Sequence, residues 1–116
     1  MGLTVHRPER EIQRAILDYL EVQHILCWRA NTGAFRGTYK GHDRFVRFGV
    51  KGQPDIFAVL APHGRLVGIE VKRPGGKLSP AQAAFLDALA RAGGIGLCVS
   101  SPAELEEKLQ RYLEQR

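Results

Sequence analysis

The sequence has little of what marks a membrane-spanning, disulfide-stapled or zinc-stabilised protein. Its 116 residues include two cysteines, Cys27 and Cys98, each single within an apolar run. Neither belongs to a CxxC pair or has a histidine at zinc spacing, so no disulfide framework and no structural zinc site is expected. Both thiols are expected to be buried as small hydrophobes in a reducing compartment. His6, His24, His42 and His63 are scattered, with no HExxH pattern and no i,i+4 pair, and are assigned no metal. There is no apolar run of about 18 residues and no charged start leading into an apolar stretch. Neither a membrane span nor an export signal is therefore indicated, and a cytoplasmic location is expected. Repeats, linkers and low-complexity tracts are absent too, so the whole chain, 1–116, reads as one domain.

What is present is ordinary in amount and uneven in sign. The chain is 44% hydrophobic and 25% charged, enough apolar content for a packed core. Its net charge is +5, which favours a phosphate-bearing partner without requiring one.

The chain is organised around its centre, residues 49–76, GVKGQPDIFAVLAPHGRLVGIEVKRPGG. Residues 66–72 are a short apolar run bounded by His63-Gly64-Arg65 and Arg73-Pro74-Gly75-Gly76, the pattern of a strand. Alternation puts Val67, Ile69 and Val71 on one face and Leu66, Gly68, Glu70 and Lys72 on the other. Residues 55–60 form a second run, and the Pro62-His63-Gly64 loop is short enough to fold it back as an antiparallel hairpin. That hairpin brings Asp55 near Glu70 and Lys72. Two carboxylates and one ammonium at a sheet edge suit a hard divalent cation, with the lysine in reach of a bound water or phosphate. Taken singly, an Asp after Pro is more often a turn residue, and a Glu beside a Lys is more often a solvated pair; the three together carry the chemistry.

Pro54-Asp55 followed at hairpin distance by Glu70-Val71-Lys72 resembles the PD-(D/E)XK nuclease signature. Further pieces narrow the resemblance to the VRR-NUC family: Glu11-Ile12-Gln13, Trp28-Arg29-x-Asn31-x-Gly33, Gly52-Gln53-Pro54-Asp55, Ile69-Glu70-Val71-Lys72 and Ser79-Pro80-x-Gln82. They span most of the chain in family order. The resemblance implies a restriction-endonuclease-like α/β fold, a mixed β-sheet flanked by helices.

From the start, Arg7-Pro8-Glu9 opens a helix running to about residue 23, with Pro8 suited to its first turn and Glu9 and Glu11 near its positive end. Ile12, Ala15, Ile16, Tyr19 and Leu20 form its apolar stripe. Glu11 lies on the flank of that stripe and can face either the sheet edge or solvent; the resemblance implies an acidic residue here that holds metal-bound water. Residues 25–30 read as a strand, with Trp28 expected as a core anchor, and Asn31-Thr32-Gly33 as a turn. The resemblance places Arg29 and Asn31 at the border of the cleft, as DNA contacts. Residues 35–51 are basic and glycine-punctuated. A strand is compatible with the alternation over 44–48, and Arg44, Arg47 and Lys51 are candidate phosphate contacts.

Ser79 and Gln82 spell a capping box ahead of a helix over 83–92 that Gly93-Gly94 stops. Capping explains Gln82 without chemistry, while the resemblance puts a Gln at this helix start beside the site. Residues 95–99 read as a strand, and Ser101-Pro102-Ala103-Glu104 opens a last helix with Leu105, Leu109, Tyr112 and Leu113 as its stripe. The expected order is helix, three or four strands, helix, strand, helix, with a parallel right-handed crossover between the strands that flank the second helix.

The resemblance implies a metal-dependent DNA endonuclease of the kind used in repair and recombination. Asp55, Glu70 and the Val71 carbonyl would hold Mg2+ or Mn2+, Glu11 would act through water, and Lys72 would orient or deprotonate the nucleophile. Products would carry 5′-phosphate and 3′-hydroxyl ends. Stand-alone members resemble dimeric junction resolvases, so a homodimer acting on branched DNA such as a four-way Holliday junction is expected. A non-cleaving nucleic-acid-binding module of the same fold is the alternative, and a protein-interaction domain the third reading.

Overall fold

The computed structural model describes residues 8–30 and 50–113, together with the backbone of 34–39 and 42–47. The chain opens on helix α1 (Glu9–Val22), followed by strands β1 (Leu26–Arg29), β2 (Ala34–Tyr39), β3 (His42–Arg47), β4 (Ile56–Leu60) and β5 (Arg65–Val71). Helix α2 (Pro80–Arg91), strand β6 (Ile95–Val99) and helix α3 (Pro102–Leu113) complete it. Five strands precede α2, against an expectation of three or four. The additional pairing is β2 with β3, an antiparallel sheet of its own running from Ala34↔Arg47 to Tyr39↔His42. Glycines and arginines interleaved with aromatics blur the period-2 signal over β2.

The main sheet has the order β1-β4-β5-β6. β1 and β5 each run antiparallel to β4, and β6 is parallel to β5, as a strand–helix–strand passage requires. It is a mixed sheet flanked by helices, an α/β fold of the restriction-endonuclease-like kind.

The two faces of the sheet differ in kind. On one, Ile56, Ala58 and Leu60, Val67, Ile69 and Val71, and Ile95, Leu97 and Val99 alternate inward and meet Ile12, Ile16 and Leu20 of α1 and Leu105 and Leu109 of α3. This is the core, and it holds the largest fully buried side chains. The other face carries α2 over β5 and β6. Gly68 and Gly96, paired across those strands, let α2 approach closely, since a Cβ at Gly96 would meet Leu86 and one at Gly68 would press on Leu89 and Pro54.

Both α1 and α2 end in the same hydrogen-bonded turn. In α2 the Gly93 amide donates to Ala90 O and the Gly94 amide to Leu89 O, with Gly93 at φ +98. In α1 the His24 amide donates to Glu21 O and the Ile25 amide to Leu20 O, and His24 takes the left-handed position at φ 58. The geometry is that of a Schellman stop, built once with glycine and once with histidine.

Candidate active site

The carboxyl end of β5 and the start of β4 meet at one edge of the sheet. The β4–β5 ladder closes at Ile56↔Ile69, leaving the Val71 amide without a strand partner on that side. Asp55 takes it: Oδ2 accepts from Val71 N at 2.8 Å. Backbone bonds fix the residue further, since Asp55 O accepts from Ala30 N at 2.8 Å. Gln53 Nε2 also donates to Ala30 O at 3.3 Å, tying the loop before Asp55 to the end of β1. Buried Pro54 stiffens the approach.

Glu70 lies on the α2 face of β5 and is only 2% exposed. Gln82 Nε2 donates to its Oε1 at 3.2 Å, while Oε2 is buried without a hydrogen-bond partner. Burial first, and then the adjacent Asp55 carboxylate, push the Glu70 carboxyl up from 4.5 to about 8; Lys72 opposes the rise and Glu9 adds to it. Two carboxyl groups crowded in a dry corner, one with an unused oxygen, form a site short of positive charge.

Gln82 does two jobs with one amide. Its backbone N–H donates to Ser79 Oγ at 3.1 Å and its Oε1 accepts from Ser79 N at 2.9 Å, completing a capping box. The amide nitrogen is thereby left pointing at Glu70. Gly52 sets the height of this helix start: at φ +78 it passes so close to α2 that a Cβ would overlap the Ala81 carbonyl.

The other sequence candidates fall unevenly. Lys72, half-buried, follows Glu70 by two on the same strand line and acts on its charge, and its amide donates to Val99 O at 3.0 Å. Glu11 is exposed, and its side chain makes no hydrogen bond or ion pair among the described residues. The acid of α1 that reaches this edge is Glu9, whose Oε2 accepts from the Arg73 amide at 3.3 Å and whose charge is felt at Glu70. A signal for this existed: Glu9 stands three before Ile12 and seven before Ile16, in line with the buried stripe, whereas Glu11 lies off it. Arg29, half-buried at the end of β1, has a buried Nε without a partner among the described residues. Lys51 is exposed just before Gly52. Asn31 and the side chains of Arg44 and Arg47 lie outside the described residues. Trp28 is not the expected core anchor; it is 44% exposed. Cys27 and Cys98 are free and half-buried rather than enclosed.

Among the described residues no three His, Cys, Asp or Glu side chains gather into a ready metal cage. Asp55 thus caps the strand that bears Glu70 and Lys72 at one edge of the sheet. The profile of the VRR-NUC domain matches residues 7–101, most of the chain. The chain belongs to the VRR-NUC family. No curated protein and no solved structure matches it. This VRR-NUC domain is a nuclease of the PD-(D/E)XK type, a hydrolase whose substrate is DNA.

Proposed function

We propose that the domain is a metal-dependent endonuclease that cuts branched DNA as a homodimer. The observation that carries the metal dependence is the Glu70 Oε2 atom, buried and unpartnered beside the Asp55 carboxylate. An all-oxygen donor set of this kind fits Mg2+ or Mn2+. Asp55 and Glu70 would hold the ion with the Val71 carbonyl, and Glu9 stands where an acid can hold water next to it. When bound, such an ion supplies Lewis-acid polarisation of the phosphate and lowers the pKa of water.

The chain's own groups do the rest. Asp55 keeps its ligand geometry because its other oxygen is anchored on the Val71 amide. Gln82 holds Glu70 in one rotamer through Oε1, leaving Oε2 turned into the site. Lys72, adjacent on the same face, is placed to orient the attacking water or receive its proton, and cleavage on the bridging 3′ side would leave a 5′-phosphate and a 3′-hydroxyl. Exposed Lys51, four residues before Asp55, and Arg29, at the end of β1 with an unpartnered Nε among the described residues, would take phosphates along the edge.

One such site cuts one strand at a time, so cutting two strands in concert calls for two copies of the site, and two-fold pairing is the commonest assembly. A four-way junction presents two equivalent strands to such a dimer. Labelled junction, flap and duplex DNA incubated with Mg2+ or EDTA, alongside light scattering over a concentration series, tests the reading. Junction cleavage with Mg2+ alone by a dimer is expected. Cleavage in EDTA would remove the metal, and a monomer that cuts all three substrates equally would remove the dimer and the junction preference. Binding without cleavage would select the non-cleaving module.

A further inference from the structure

Among the described residues, the sheet face that carries Glu70 is only half covered. α2 lies over β5 and β6, and beyond it the same face continues across β4 to β1 with Phe57 and Val59, then Trp28 and Leu26. Trp28 and Leu26 are 44% and 66% exposed. Trp28 is the register partner of Phe57, their ring centroids 5.8 Å apart and tilted by 38°. Phe57 in turn meets Phe85 of α2 at 6.3 Å. Three aromatic rings thus run from the open edge strand to the helix that holds Gln82.

This row sits beside the candidate active site. Phe57 pairs with Gly68, two residues before Glu70 on the same strand line, and follows Asp55 by two. Two strand residues span about 7 Å and neighbouring strands lie about 5 Å apart, so Phe57 lies one step from the two carboxylates and Trp28 one strand further out. Positive charge is at hand: exposed Lys51 precedes the Asp55 loop, and the chain carries +5 overall, while Arg29, next to Trp28 in sequence, alternates to the other face of β1. Exposed Trp28, backed by half-buried Phe57 and Phe85 on a chain of net positive charge, matches a polymer that alternates flat π-faces with phosphates. A second copy of this chain, carrying the same positive charge, would match it less well.

We propose that Trp28, backed by Phe57 and Phe85, stacks an unpaired base of the DNA next to the Asp55–Glu70 edge. The nuclease would then engage a single-stranded stretch beside the bond it cuts. In a duplex, base faces are occupied by their neighbours, so the platform favours branch points, gaps and flaps. This rests on the reading of the domain as a branched-DNA nuclease and adds to it the element of the branch that is read.

Trp28 is the only tryptophan, so its emission reports on this surface alone. The wild-type chain in EDTA, where Mg2+-dependent cleavage does not confuse binding, would be titrated with a deoxythymidine single strand, an abasic strand of equal length and a duplex. Quenching by the base-bearing strand and little by the other two is expected. Trp28→Leu should weaken anisotropy-measured binding of the single strand by about tenfold, with circular dichroism checking its fold. Equal quenching by the abasic strand, no quenching by any strand, or unchanged binding by a folded Trp28→Leu variant would overturn the proposal. So would emission that shifts with protein concentration in the absence of DNA, which would assign the surface to a second copy. If the variant does not fold, the abasic comparison on the wild type still decides. Because the readout is binding, stacking without any cleavage would sink the nuclease reading and leave this one, whereas cleavage without base-dependent quenching would do the reverse.

Discussion

Glu70 faces Asp55 from a position with almost no solvent, and its carboxyl is held near 8 against 4.5 by burial first and by Asp55 second. In the metal-free protein the folded state therefore keeps a proton that the unfolded chain has released. Its contribution to stability is full below about pH 4.5 and is lost as pH rises through about 8. Urea midpoints of metal-free protein should fall between about pH 5 and about pH 9, and Glu70→Gln, which is neutral throughout, should flatten that fall. An unchanged pH slope in the variant would assign the proton elsewhere. On the proposed reading a divalent ion at Glu70 displaces the same proton, so Mg2+ affinity should rise with pH over the same window. A second residue-scale test concerns α1. Glu9→Gln should lower Mg2+-supported cleavage by about tenfold, and by more than Glu11→Gln does, because only Glu9 touches the edge through Arg73. The opposite order would return the role to Glu11.

At the scale of elements, the site depends on where α2 begins. Its capping box orients Gln82, and the close pass of Gly52 beneath Ala81 fixes how near Gln82 stands to Glu70. Two glycines with nearly the same φ separate the causes. Gly64 at φ +76 has nothing within 4 Å of a built Cβ, so Gly64→Ala should cost only the left-handed conformation, about 1–2 kcal/mol, with cleavage per folded molecule intact. Gly52→Ala at φ +78 carries that same cost and also drives a methyl into the α2 backbone. It should destabilise more and lower metal affinity, measured by calorimetry on the folded fraction. Equal behaviour of the two variants would show that the contact with α2 does not set the site.

For the whole molecule, one sheet separates two tasks. The face toward α1 and α3 is closed by aliphatic packing, and the face toward α2 carries the carboxylates and, beyond the helix, open aromatic surface. Net charge of +5 acts on DNA at longer range than either face. DNA affinity should fall steeply with salt as lysine and arginine contacts release counterions. Replacing Arg44, Arg47 and Lys51 together should reduce the log–log salt slope by roughly 2 to 3. A slope that does not move would make those side chains solvated surface and place the phosphate contacts elsewhere, with Arg29 the first to examine.

The sequence by itself determined the elements whose period is uninterrupted. The stripes of Ile12, Ile16 and Leu20 and of Leu105 and Leu109, and the alternation through β4, β5 and β6, each choose one buried face. A one-residue error in a strand would expose the whole set. It also determined that Asp55, Glu70 and Lys72 converge, because a hairpin as short as the one between β4 and β5 leaves little freedom of register. Tertiary structure alone decided the rest. The choice between two acids in one helical turn depends on the angle at which α1 crosses the sheet, and that angle is set by packing against β1, β5 and α3. The second role of Gln82 needs Glu70 to stand within reach of a residue twelve positions away. Whether Trp28 is core or surface depends on how far α2 extends over the sheet. Gly68 and Gly96 seat that helix over β5 and β6, and Trp28 is left at the open edge.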